Sequence, residues 1–144
     1  MDDLMAKLKA YDWGGDRGSL MAIDASIVAA HGNAKKLSEI EQALLEVLQS
    51  DVPIPAKEYS CRQLALIGTD RCVSVLAAML PDAELADRAR LVLEAIPTTA
   101  ADDALRAALD MVEGDQRAGI VNSLDERKKR PVTSTEHNDA KETK

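Results

Sequence analysis

The chain has 144 residues, 46% of them hydrophobic and 30% charged, with a formal net charge of −7. That is the size of one ordinary domain with enough apolar surface for a core, which argues against disorder over the whole length. Alanine and leucine together supply 40 residues while phenylalanine is absent, tryptophan occurs once and tyrosine twice, so an all-β domain is excluded and a thin core of closely packed helices is predicted in place of a deep ligand pocket.

Apolar residues recur at helical spacing from the start. Leu4, Leu8 and Tyr11 mark one side of a first helix that Asp12-Trp13-Gly14-Gly15 terminates. A second helix runs through Leu20, Ile23, Ile27 and Val28, with Asp16 as its predicted N-cap and His31-Gly32 as its stop, glycine being free to turn left-handed. A third covers roughly 34–49 on the stripe Leu37, Ile40, Leu44, Leu45 and Leu48. Its start is open between Asn33 as cap and a Ser38/Glu41 capping box one turn later.

Beyond Pro53 and Pro55 a second periodicity begins. At an offset of 29, Leu64 meets Leu93, Ile67 meets Ile96, Leu76 meets Leu105 and Leu80 meets Leu109, so these eight are the predicted inter-repeat core. The punctuation aligns too: Gly68 meets Pro97 at the turn, and Thr69 meets Thr98 where a hydroxyl should cap the next helix. Helix, tight turn and second helix in each unit is the pattern of an α-solenoid. A third unit begins at Asp115 with Ile120, Val121 and Leu124, and then the pattern stops. The repeat domain is therefore taken as residues 1–127, and residues 128–144, which lack apolar periodicity, as a disordered polar tail. Either later repeats have been lost or the chain is a shortened form.

These residues carry a resemblance. CRQLALIGTDRCVSVLAAMLPD followed by ADRARLVLEAIP resembles bacterial HEAT-like repeats of the kind named after phycobilisome lyase subunits, with the paired Ile-Gly-Thr and Ile-Pro-Thr turns as its most specific part. The match spans about residues 11–130. It implies an all-α, right-handed superhelix of antiparallel helix pairs, first helices convex and second helices concave.

Charge narrows the partners. Residues 1–124 hold 20 acids against 12 bases, and residues 125–144 hold 5 against 6. A nucleic-acid groove needs clustered Lys and Arg, so an acidic body excludes it, and with it a HEAT-like DNA glycosylase. The run Arg127, Lys128, Lys129, Arg130 is expected to be solvated. No stretch reaches the ~18 apolar residues of a membrane span, and MDDLMAKLKAYDW lacks a secretory pattern, so a cytoplasmic protein is expected.

Catalytic constellations are missing from the pattern. Cys61 and Cys72 are too far apart for a C-x-x-C motif and fall on core positions, where they read as buried thiols. His31 reads as a helix-end residue, and Gly14 to Ser19 lacks the Gly-Lys-Ser/Thr of a phosphate loop. Trp13 is expected to cover the apolar end of the stack. Asp102 and Asp103 point about 100° apart on a helix, and Asp102 can pair with Arg106 four residues on. No cofactor or metal is expected.

What remains is a non-catalytic scaffold that binds protein. Residues 82–115 hold nine acids against Arg88, Arg90 and Arg106, and Arg71, Asp103, Arg106, Asp110 and Glu113 are the predicted display residues of the second helices 70–80 and 99–112. The expected partner is a protein with a basic segment. The family name alone suggests the alternative, a bilin lyase or chaperone, or an accessory module of a larger enzyme; the lyase reading would want groove aromatics that this chain lacks.

Overall fold

The computed structural model describes residues 2–129, and the chain divides into two compact units, Met1–Ile67 and Gly68–Lys144. All regular structure among the described residues is helical, as the composition predicts. Of the tail taken as residues 128–144, Lys128 is the last residue of the last helix and Lys129 its C-cap, and residues from 130 on, His137 among them, lie outside the described residues.

The first unit holds α1 (Asp2–Lys9), α2 (Gly18–Ala29), α3 (Ala34–Leu48) and α4 (Ile54–Ile67). Helix α1 packs on α2 and α3, and α3 on α4. Their buried stripes are Met5 and Leu8; Leu20 and Ile23; Ile40, Leu44, Leu45, Val47 and Leu48; and Ala56, Tyr59, Cys61 and Leu64. Each recurs every three or four residues, the spacing that keeps one side of a helix facing its neighbours. Pro55 stands in the first turn of α4, where a missing N–H breaks no helical bond.

Turn chemistry sets the helix ends. Gly32 (φ +84°) takes the left-handed conformation just past the end of α2, and Gly14 (φ +80°) takes it in the turn that Gly15 N closes onto Asp12 O. Asn33 is the cap of α3: its Oδ1 accepts from Lys36 N at 3.1 Å, which decides against the later capping box. Asp16 falls one residue short of the expected place. Arg17 occupies the N-cap position of α2 without a side-chain bond, while Asp16 Oδ1 accepts from Gly18 N at 3.0 Å, so the carboxylate still serves the helix start from one position earlier.

The second unit holds a 3₁₀ turn (Asp70–Cys72), α5 (Val73–Met79), α6 (Ala86–Ala95), α7 (Thr99–Ala108) and α8 (Gly114–Lys128). Helix α6 packs on α5, α7 and α8, and α7 on α5 and α8. The helix expected at 70–80 is thus split into a 3₁₀ turn and a seven-residue helix, and the one expected at 99–112 ends at Ala108. Of the eight predicted core residues, Leu64, Leu76, Leu80, Leu93, Ile96 and Leu105 are buried, and Ile67 and Leu109 are half-buried.

The burial pattern around α6 returns in α8 at a spacing other than 29. Ala89, Val92, Leu93 and Ile96 are buried in and just after α6, and the same spacing of burial returns in α8 as Ile120, Ser123, Leu124 and Arg127, 31 positions on. An arginine therefore stands in α8 where the stripe of α6 ends in isoleucine.

Candidate functional site

Helix α7 carries the predicted display residues. Asp103 and Arg106 are exposed on it, Asp110 and Glu113 are exposed just beyond it, and Arg71 is exposed on the 3₁₀ turn. Helix α7 packs on α5, which continues that turn, and Thr98 at the start of α7 donates its Oγ1 hydrogen to the Asp70 carboxylate beside Arg71. The structure thus brings all five residues into one unit. Thr98 was expected to cap α7, but it makes no side-chain cap bond because its hydroxyl is turned to Asp70; Thr69 does accept from Arg71 N, at 3.2 Å.

The adjacent aspartates part company, as their 100° separation requires. Asp102 is half-buried: one oxygen pairs with Arg106, four residues on, and the other accepts from Arg127 Nε at 3.1 Å. Asp103, Asp110 and Glu113 make no ion pair with another described residue. The charge of Arg106 is consumed within the helix, so the outer side of α7 presents carboxylates to solvent with little to balance them.

Behind this surface lies a polar cluster that the sequence reading missed. Arg127 was expected to be solvated with its basic neighbours, yet its side chain is 4% exposed. Its Nη1 donates to the carbonyl oxygens of Leu93 at 3.0 Å, Glu94 at 3.1 Å and Ile96, and its Nη2 to that of Thr98 at 2.7 Å. The end of α6 leaves carbonyls without helical partners. A guanidinium with five donors satisfies several at once, and the Asp102 carboxylate balances its charge. Lys128 and Lys129 are exposed, as expected of them. A signal in the sequence exists: at the register of the burial pattern Arg127 falls on the inward side of α8, but that register differs from the 29-residue offset read from the sequence.

Ser123 extends the cluster. It accepts from Arg90 Nη1 at 2.9 Å and donates to Glu94 Oε1 at 2.7 Å. Arg90 Nε is buried with no hydrogen-bond partner, and Gly119 gives the Arg90 side chain its room, since a Cβ there would lie 2.8 Å from Nε.

Elsewhere the chemistry is sparse. Cys61 and Cys72 are free thiols and buried, as predicted. No group of three or more His, Cys, Asp or Glu side chains suited to a metal occurs among the described residues. No helix among them is long and apolar enough to cross a membrane. Trp13 was expected to cover an apolar end, but 73% of it is exposed, because it sits in the turn after α1, between Asp12 and Gly14, with no helix beneath it.

Compared with protein-family models, with curated proteins and with solved structures, the chain matches none.

Proposed function

We propose that the chain is a non-catalytic scaffold of the HEAT-like solenoid type that holds a basic protein segment on the acidic side of α7. The observation that carries this reading is the contrast between neighbouring carboxylates in α7 and the segment after it. Asp102 is spent on two arginines, whereas Asp103, Asp110 and Glu113 stand exposed without an ion-pair partner among the described residues. Carboxylates held on a packed helix draw a cationic segment in by long-range attraction, and added salt weakens that attraction.

A fluorescein-labelled peptide of alternating lysine, arginine and leucine tests the proposal by anisotropy at low and high salt. The double variant Asp103→Lys/Asp110→Lys should weaken binding at least tenfold and leave the melting temperature within a few degrees of wild type, since exposed substitutions move stability by about 0.5 kcal/mol or less. Unchanged affinity, or a loss that tracks unfolding, overturns it.

A further inference from the structure

Helix α8 is attached to its unit chiefly by polar contacts. Of its 15 residues, Ile120 and Leu124 are the buried apolar side chains, whereas the ten-residue α6 buries Ala86, Ala89, Val92 and Leu93. The rest of the attachment is hydrogen bonding spread along the helix. At its start Gln116 Nε2 donates to Leu80 O at 3.3 Å and Pro81 O at 3.4 Å. At its middle Ser123 bridges Arg90 and Glu94, and at its end Arg127 holds the carbonyls after α6 and the Asp102 carboxylate.

These two kinds of attachment respond differently to water. Undocking a helix held by apolar burial forfeits the hydrophobic gain, but undocking one held by hydrogen bonds exchanges protein partners for water at little net change per bond. In the segment that joins α8 to α7, Val112 is buried and anchors the chain, whereas beyond it Glu113 is exposed and Gly114 (φ +62°) opens the helix with nothing near its missing Cβ, so a hinge has room at 113–114.

We infer that α8 is a releasable latch: it leaves the surface of α6 and α7 as one piece while α5, α6 and α7 stay folded, and Arg127 is its clasp. Release returns the carbonyls of Leu93, Glu94, Ile96 and Thr98 that Arg127 holds to solvent. In the docked state those carbonyls depend on Arg127. Replacing it with an apolar side chain of similar length takes that donor from them and leaves Asp102 with Arg106 alone, which penalises the docked state and spares the open one.

Amide hydrogen exchange on the full chain tests this. In wild type, α8 amides should exchange at least tenfold faster than those of α6 with one common protection along the helix, and low urea should accelerate α8 measurably but less steeply than α6, because releasing one helix exposes less surface than unfolding the unit. Arg127→Met should speed α8 by about a hundredfold while α5 and α6 keep their relative order, and Asp102→Asn should act in the same direction more weakly. A single common rate for α8 and α6 in wild type, or variants that accelerate both helices equally, overturns the latch. Should Arg127→Met fail to fold, the wild-type urea series decides alone.

Discussion

The phenol oxygen of Tyr59 on α4 lies 2.6 Å from Asp24 Oδ1 on α2, and 3.1 Å from the carbonyl oxygen of Leu20. Burial, and after it the hydrogen bond to Asp24, raises the Tyr59 pKa above its ordinary value of about 10. Arg62 lies over the ring at 5.7 Å and acts weakly in the opposite direction. The sign of the linked effect on stability follows. Below pH 10 folded and unfolded chains both hold the proton, and the contribution is full. Above it the unfolded phenol ionises while the folded one does not, so stability falls by about 1.4 kcal/mol per pH unit. Urea unfolding between pH 9 and 11 should show this extra fall in wild type relative to Tyr59→Phe, and at pH 7 the variant should lose about 1 kcal/mol. Parallel curves for the two proteins would contradict the assignment.

Leu76 and Leu105, which the 29-residue offset pairs, are both fully buried. Truncating either to alanine should cost about 2–5 kcal/mol. Leu80 and Leu109 are also paired by the offset, but Leu109 is only half-buried, so Leu109→Ala should cost distinctly less than Leu80→Ala. Denaturant midpoints of the four variants check the ranking.

The start of α3 offers a second comparison. Asn33→Ala removes the bond to Lys36 N and should cost about 1 kcal/mol, whereas Ser38→Ala, which lies inside the helix, should change stability by under about 0.5 kcal/mol. Equal losses would mean that both residues hold the helix start.

Gly119 sets two effects against each other. Alanine is the better helix former by about 1 kcal/mol, yet its Cβ would meet Arg90 Nε at 2.8 Å and its Cδ and Cζ at 3.2 Å. Arg90 cannot move aside freely, because Ser123 and Asp87 hold its guanidinium. Gly119→Ala should therefore destabilise by about 1–3 kcal/mol. In an Arg90→Ala background the same change should become stabilising, and thermal melts of the four proteins test that reversal of sign.

The helices were legible because their signals are local. Apolar spacing marks Leu20 with Ile23, and Ile40 with Leu44, and a left-handed glycine or a short polar side chain marks the ends at Gly32 and Asn33. The exposure of Asp103, Asp110 and Glu113 could be read in the same way, Asp103 from the polar side of α7 and the other two from the polar segment after it. What escaped depends on groups that meet only after folding. Arg127 has the composition of a solvated basic run, and only the carbonyls at the end of α6, more than 30 residues earlier, make it a buried residue. Thr98 has the position of a cap, and only Asp70, 28 residues earlier, diverts its hydroxyl.

The exposure of Trp13 has a spectroscopic consequence. It is the only indole in the chain, it stands 73% exposed in a turn, and unfolding has little further solvent to offer it. Its emission should already peak near that of free tryptophan in the native state, so a fluorescence-monitored melt would look almost flat while the helices are lost. The same property makes it a clean sensor of another kind: any molecule that settles over the turn after α1 will shield a fluorophore that acrylamide otherwise quenches freely, with no second tryptophan to blur the signal.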